Sequence, residues 1–491
     1  MDVIRAIAEF LVKDVLSQPY YLVGLMTAVG LIALRKRTGE VIGGALKATL
    51  GFLILVAGAN VVVAALEPLG KLILGATGAQ GVVPTNEAIV ALAQSQYGAT
   101  VAWTMIAGFL VSLFIARVTP LRYVFLTGHH IFFMATMISV ILLTVGYSTL
   151  VAVLGGAVLL GTIMVVMPAL THPWMKKVTG GERVAMGHFG SLGYILGGIS
   201  GQAVGKGSRS TEEMKFPQGL RFLREPMVAT AVSMVVIYII FALIFAARQG
   251  LGPVVEQLGL DPATNWGSFV MFNVLQALNF GVGVALILFG VRTILGEIVP
   301  AFAGIAERVV PGALPALDCP VAFPYAPNAV IIGFLASVVG GLISLALISS
   351  WLGAALGLAL ILPGMVPHFF TGGTAGVFGN ATGGRRGAMV GGFVNGVLIT
   401  FLPAFLLFVL GDLGFANTTF GDADFGWYGI VVGQGAQVSD VGGVVVLGVI
   451  VAALLTLAIW FQRRVVEAGW VPGGAVTVPE AEAKTRAKTT A

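Results

Sequence analysis

The chain has very little of what keeps a soluble protein in water. Only 10% of its 491 residues are charged, whereas 57% are hydrophobic and the mean hydropathy is +0.97. A soluble domain carries about 25% charged residues and could not bury this much apolar surface. The composition therefore excludes a soluble protein and predicts an integral membrane protein.

Cysteine is almost absent as well. The single cysteine, Cys319, excludes a disulfide within one chain, and the sequence shows no Cys-x-x-Cys motif or other cluster of metal ligands. We therefore predict no metal site and no cofactor.

The first residues lack the features of a cleaved leader. Residues 1–18 have no apolar core followed by small residues, and they predict a short amphipathic helix in the membrane interface. The net charge of +5 does not indicate nucleic acid, because Lys and Arg lie in loops between apolar segments, as the positive-inside rule requires.

Long apolar stretches are abundant, and shorter Gly- and Pro-broken stretches separate them. The apolar stretches are residues 19–34, 42–66, 100–118, 131–146, 149–169, 227–247, 267–292, 329–349, 387–410 and 441–461. The broken stretches are residues 71–97, 120–130, 180–204, 304–328 and 351–386. We predict an all-α polytopic membrane protein with about eleven transmembrane helices. The broken stretches predict re-entrant hairpins or discontinuous helices that line a cavity or are buried in protein.

Two segments repeat at half-chain distance. LILVAGANVVVAALEP (53–68) matches ALILFGVRTILGEIVP (285–300), and GVVPTNE (81–87) matches GALPALD (312–318). Such repeats build transporter sites at their interface. We predict a first repeat at 1–205, a cytoplasmic linker at 206–224, a second repeat at 225–465 and a cytoplasmic tail at 466–491.

The basic residues predict the orientation. RKR (35–37), the linker, Arg385–Arg386 and Arg463–Arg464 are expected in the cytoplasm, whereas 249–266 and 411–428 read as external loops. This puts the N-terminus outside and the C-terminus inside. The two repeats then have inverted topology.

Ionisable side chains in the broken stretches are candidate ligand contacts, because they are costly at membrane depth. They are His129, His130, His188, Glu87 and Asp318, with Asn86 as an amide partner. Capping of helix ends and ion pairing are the structural alternatives. Together these groups suit a small polyhydroxylated ligand.

LRYVFLTGHHIFF (121–133), VPGALPALDCPVAFPYAPNAV (310–330) and FFTGGTAGVFGNATGG (369–384) closely resemble the ascorbate-specific membrane subunit (EIIC) of the bacterial phosphotransferase system (PTS). The resemblance implies a homodimeric permease of the bacterial inner membrane, with a scaffold and a mobile core that moves as an elevator. It implies separate EIIB and EIIA subunits, with the phosphoryl chemistry on EIIB. Whether the permease itself counts as an enzyme is then a matter of convention.

The family's ligand contacts carry over onto particular positions of this chain. They are Asn86, Glu87, His129, His130, Ile131, Phe132, Phe133, His188, Phe189 and Asp318. The sequence departs from the family where glutamines are replaced by Phe133 and Phe189, and where a Thr-Tyr pair is replaced by Asn86-Glu87. The resemblance predicts uptake of L-ascorbate or a similar sugar acid. An ion-coupled secondary transporter, with Glu87 and Asp318 relaying protons, and a passive channel or receptor are the alternatives.

Overall fold

The computed structural model describes residues 18–181, 183–214 and 226–473, and helices make up most of it. The predicted all-α membrane fold is confirmed, because nine helices in these ranges are long and apolar enough to cross a membrane. Nine of the ten predicted apolar stretches lie in these nine helices, and the tenth forms a shorter helix, Pro19–Ala33. The predicted N-terminal helix, residues 215–224 of the linker and the tail from residue 474 lie outside the described residues.

The elements follow one another in two series. The first series is α1 (Pro19–Ala33), α2 (Thr38–Thr77), β1 (Gly81–Pro84), α3 (Asn86–Val118), β2 (Tyr123–Phe125), α4 (Gly128–Val145), α5 (Thr149–Thr179), β3 (Ala185–Met186) and α6 (Ser191–Val204). The second is α7 (Pro226–Gln249), α8 (Leu251–Gln257), α9 (Trp266–Val309), β4 (Leu314–Leu317), α10 (Pro327–Leu347), α11 (Gly353–Leu356), β5 (Leu360–Ile361), α12 (Met365–Pro367), α13 (Gly373–Leu406), β6 (Thr418–Thr419), α14 (Ala423–Ala436) and α15 (Asp440–Phe461).

From α2 and from α9 onward, the two series have the same order. A long helix with an internal proline (Pro68 or Pro300) leads to a strand, a helix, a second strand, a helical pair, a third strand and a 14-residue helix. In the second series the pair is α13 itself, which bends at Gly384 (φ 61°, ψ −147°). This order supports the repeats at 1–205 and 225–465, which remain a prediction.

The six short strands form two parallel three-stranded sheets that interlock the halves. β1 lies between β5 and β6 of the other series, and β4 lies between β2 and β3. Each strand occurs where a helical path is broken, so the pairing satisfies backbone groups that would otherwise lack partners at membrane depth. Five of the strands fall within the five predicted broken stretches.

The sixth strand corrects a sequence prediction. β6 lies in residues 411–428, which were expected to form an external loop, yet Thr418, Thr419, Asp422 and Asp424 are buried. The acidic residues made this stretch look solvated. In the structure, the carboxylates of Asp422 and Asp424 accept hydrogen bonds from other parts of the chain.

Helices α2 and α9 pack side by side in opposite directions. Lys47 Nζ lies 2.9 Å from Glu297 Oε1 near one end, and farther along α2 the backbone at Gly58 meets that at Gly283. With α1 and α7 they form one packing group, and α3–α6, α10 and α13–α15 form a second. The antiparallel contact agrees with the predicted inversion of the repeats.

Close packing of α2 on α9 yields a stability prediction. A Cβ atom at Gly58 would lie 2.8 Å from the carbonyl oxygen of Gly283, so we expect Gly58→Ala to force the helices apart and destabilise the protein by about 1–3 kcal/mol. Gly155 in α5 has no atom within 4 Å of such a Cβ, so Gly155→Ala is the matched control and should be neutral or stabilising. Thermal unfolding in detergent measures both. Equal unfolding temperatures would contradict the predicted packing constraint.

Candidate functional site

A cavity of about 700 Å³ lies between the two packing groups. Helix α9 forms one wall, and the opposite wall is formed by residues that directly follow the strands. The volume is within the range of roughly 300–1,000 Å³ that is typical of small-molecule sites. Seven of the predicted site residues line it: Asn86, Glu87, His129, His130, Phe133, His188 and Asp318.

The parallel strands explain why residues distant in sequence meet here. Side chains that follow parallel strands emerge at the same edge of a sheet. His129 and His130 follow β2, His188 follows β3, and Asp318 follows β4 directly. Helices α3 and α4 also begin at this cavity, and the N-terminus of a helix favours negative charge.

Asp318 is the best placed acid for a ligand contact. Its side chain is 38% exposed, and its Oδ1 accepts a hydrogen bond of 2.7 Å from the backbone N–H of Cys319. The Nε2 atoms of His129 and His188 lie 3.4 and 3.8 Å from its two carboxylate oxygens. Asp318 is therefore held by the backbone on one side and lies beside two imidazoles on the other.

Backbone hydrogen bonds fix the tautomers of two histidines. The N–H of Phe189 donates to Nδ1 of His130 at 3.4 Å, and the N–H of Gly190 donates to Nδ1 of His188 at 3.0 Å. An Nδ1 atom that accepts a hydrogen bond carries no proton, so the proton of each neutral ring is on Nε2. His130 and His188 are therefore neutral donors, suited to bind oxygen atoms of a ligand.

The fold creates a cluster that the sequence did not reveal. His130, His188 and Asp422 bring potential metal-ligand atoms within 4.8 Å of one another, so the sequence-based statement that no such cluster exists was wrong. Metal binding through Nε2 would require each ring to give up the hydrogen bond at Nδ1 or to lose a proton. The hydrogen bonding thus favours ligand oxygens over a metal ion.

Asn86 lines the cavity and also makes hydrogen bonds within the chain. Its Nδ2 donates to Asp422 Oδ2 at 2.8 Å and its Oδ1 accepts from the N–H of Gly421 at 2.7 Å, so it clamps the loop after β6. Beside it, the Oε2 atom of Glu87 is buried and has no hydrogen-bond partner among the described residues. The same is true of the Thr127 hydroxyl. A buried polar atom without a partner at a cavity is available for a ligand.

Three predicted contacts lie elsewhere. Ile131, Phe132 and Phe189 do not line the cavity. Phe189 is completely buried and stacks on Phe125 with ring centroids 4.8 Å apart, and Phe132 lines a separate apolar gap. Of the two positions where the resemblance predicts glutamine, only Phe133 therefore faces this cavity.

Sequence reasoning missed Arg292 and Asp422. Arg292 lines the α9 wall, is exposed to the cavity, and makes no hydrogen bond or ion pair with the described residues. The signal was present, because Arg292 is the lone basic residue in the apolar repeat ALILFGVRTILGEIVP, and an ionisable residue there is a functional candidate.

Asp424 positions the His188 loop rather than facing the cavity. Its carboxylate accepts hydrogen bonds from the N–H groups of Ser191 (2.8 Å) and Leu192 (3.0 Å) at the start of α6, and from Trp427 Nε1 (2.9 Å). Its own N–H donates to the carbonyl of Phe189 at 2.8 Å. The two halves are therefore tied together directly beside His188.

We expect Asp424→Ala to lower the stability by about 3 kcal/mol and to weaken ligand binding, since it leaves buried N–H groups without partners and loosens the His188 loop. Asp412→Ala, which removes an exposed carboxylate from the same region, is the control. Thermal unfolding and calorimetry measure the two effects. Unfolding of Asp424→Ala at the wild-type temperature would refute this role.

The comparisons with known proteins identify the family of the chain. Residues 14–424 match the family EIIC-GAT, described as the PTS system sugar-specific permease component. An ascorbate-specific PTS system EIIC component from Mycoplasma pneumoniae is 26% identical over an alignment of 446 residues, and the match covers 80% of this chain and 66% of that protein. The chain belongs to the EIIC-GAT family of sugar-specific permease components of the phosphotransferase system.

Proposed function

We propose that this permease takes up L-ascorbate or a similar sugar acid, coupled to phosphorylation by a separate EIIB subunit. The observation that supports this proposal is that the cavity has two chemically different walls. Hydroxyl-binding groups (Asp318, His129 and His188) lie on the strand-end wall, and Arg292 lies on the α9 wall. A sugar acid has both hydroxyl groups and a negative charge. Its hydroxyl groups would bind the strand-end wall, and its charge would bind Arg292.

Arg292 resolves an electrostatic difficulty of this substrate class. Glu87, Asp318 and Asp422 all line the cavity, and an anion beside three carboxylates would be repelled unless a cation binds it. Arginine is suited to bind the oxygen atoms of an anion through its planar fork of N–H groups. We infer that the anionic part of the substrate faces α9 and its hydroxyl groups face Asp318.

The distribution of these contacts over two groups of helices supports a proposal of alternating access. Arg292 belongs to the group of α1, α2, α7 and α9, whereas the acids and histidines belong to the other group or to its strand ends. We propose that the first group is the scaffold of a homodimer and that the second moves as an elevator. The proposed location is the bacterial inner membrane, with the N-terminus outside and the C-terminus in the cytoplasm.

We assign the phosphoryl chemistry to separate partner proteins. Cys319 is completely buried, so it is poorly placed to exchange a phosphoryl group with another protein. We propose that EIIA and EIIB pass the phosphoryl group onward and that the permease presents the acceptor hydroxyl at the cytoplasmic side.

One observation favours the alternative of an ion-coupled transporter. Asp422, His130, His188, Asp318 and His129 form a chain in which each group lies beside the next. Such chains of carboxylates and imidazoles carry protons in pumps. The fixed Nε2–H tautomers oppose this reading, because a relay requires both ring nitrogens to exchange protons.

Substitutions that remove or keep the positive charge at position 292 test the proposed role of Arg292. Arg292→Gln should weaken L-ascorbate binding by about ten- to a hundredfold, because a hydrogen bond between charged groups is lost, and Arg292→Lys should retain part of the affinity. Binding of a neutral polyol of similar size should not fall. Arg308→Gln, on the same helix but outside the cavity, is the control.

Calorimetry on the purified protein in detergent measures each affinity. If Arg292→Gln binds L-ascorbate as tightly as the wild type does, the assignment of the anion contact is wrong. Tight binding of the neutral polyol together with no binding of any sugar acid would reject the substrate class while keeping the family.

The coupling is tested by uptake of labelled L-ascorbate into cells. We expect the label to be recovered as a phosphorylated product, with uptake that resists an uncoupler and is lost in Asp318→Ala. Accumulation of unmodified substrate that collapses with the uncoupler would instead establish the ion-coupled transporter. Wild-type uptake by Asp318→Ala would contradict the proposed site.

A further inference from the structure

A second concavity of about 790 Å³, which we call the basic pocket, lies apart from the substrate cavity. The two cavities have no lining residue in common. The basic pocket is lined by five cationic side chains and one acid: Arg117, Arg122, Lys176, Arg183, Arg463 and Glu467. Their formal charges sum to +4. Arg463 places the pocket on the side of the membrane predicted to be cytoplasmic.

The cations of the basic pocket lack the carboxylate partners that several other cations of the chain have. Lys47 and Lys71 lie 2.9 and 3.0 Å from a glutamate oxygen, and Arg385 lies 3.8 Å from one. Among the described residues, none of the five cations of the basic pocket has a carboxylate within 4.0 Å. Five like charges around one concavity repel one another unless an anion binds between them.

A buried amide adds a neutral donor to the basic pocket. Gln462 is only 9% exposed, and its Oε1 accepts a hydrogen bond of 2.8 Å from the hydroxyl of Tyr123. This bond leaves the Nε2 group of Gln462 without a partner among the described residues, while the residue lines the pocket. The lining thus offers guanidinium, ammonium and amide donors, and Glu467 is its one carboxylate.

We propose that the basic pocket binds a phosphate-type dianion. Guanidinium groups bind the oxygens of phosphate in pairs, and a doubly charged ligand offsets more of the repulsion than a monoanion does. Two sources present this chemistry at the cytoplasmic side. One is the headgroup of an anionic phospholipid and the other is a soluble phosphorylated compound.

The position of the pocket links it to transport. β2 and β4 begin beside the pocket at Tyr123 and Leu314, and they end at the substrate cavity before His129 and Asp318. Three to four residues of strand span about 10 Å, so an anion in the pocket lies close beneath the substrate wall. An anion bound in the pocket would therefore lie beside the beginnings of the two strands that lead to the cavity.

Titration of inorganic phosphate into the purified full-length protein, in phosphatidylcholine nanodiscs at low ionic strength, tests the proposal. We expect saturable binding that weakens at least about tenfold in Arg122→Gln/Arg463→Gln. Arg386→Gln, which removes an exposed cation outside both cavities, should bind like the wild type. Arg463→Gln alone provides a milder variant if the double variant does not fold.

Nanodiscs that contain phosphatidic acid, whose phosphomonoester headgroup can carry two negative charges, distinguish the two sources. If this lipid abolishes phosphate binding to the wild type, the headgroup occupies the pocket. If phosphate binds equally in both kinds of nanodisc, the ligand is a soluble phosphorylated compound. The proposal is overturned if phosphate does not bind in phosphatidylcholine, or if the Arg122 and Arg463 variants bind it unchanged.

Discussion

Hydrogen bonding of the backbone at the helix breaks is the constraint on which the rest of this structure depends. A broken helix at membrane depth exposes N–H and C=O groups that lipid cannot satisfy. This chain pairs each break with breaks from the other half, so that β1 is held by β5 and β6, and β4 by β2 and β3. Neither half can complete these sheets alone. The candidate cavity is a consequence, because its acids and histidines follow the strands.

The same arrangement controls the electrostatics of the site. Backbone N–H groups that belong to the loop after β3 hold Nδ1 of His130 and His188, and they leave Nε2–H groups for a ligand. Asn86 restrains Asp422 from the opposite half. The cation that an anionic substrate requires comes from α9, in the other packing group. A bound sugar acid would therefore connect the two groups, and its affinity would depend on how they are positioned.

Much of this fold could be predicted from the sequence, because apolar length specifies a membrane helix and Gly and Pro specify a break. The strand pairing could not be predicted, since two- to four-residue strands such as β3 and β6 carry no alternating pattern and gain their partners only through tertiary contacts. Asp422 was missed because its acidic neighbourhood resembles a solvated loop. Phe189 was assigned to the site by resemblance, yet its ring packs on Phe125, since side-chain direction is determined by packing.

The central claim is that the substrate lies between two bodies that move relative to one another. Spin labels at Met271 on α9 and Met389 on α13, both exposed, report the distance between these bodies once the native Cys319 is replaced by alanine. Double electron–electron resonance in nanodiscs, with excess unlabelled protein to suppress signals between protomers, should show two distances whose populations L-ascorbate shifts. A single distance that does not respond to substrate would contradict the account.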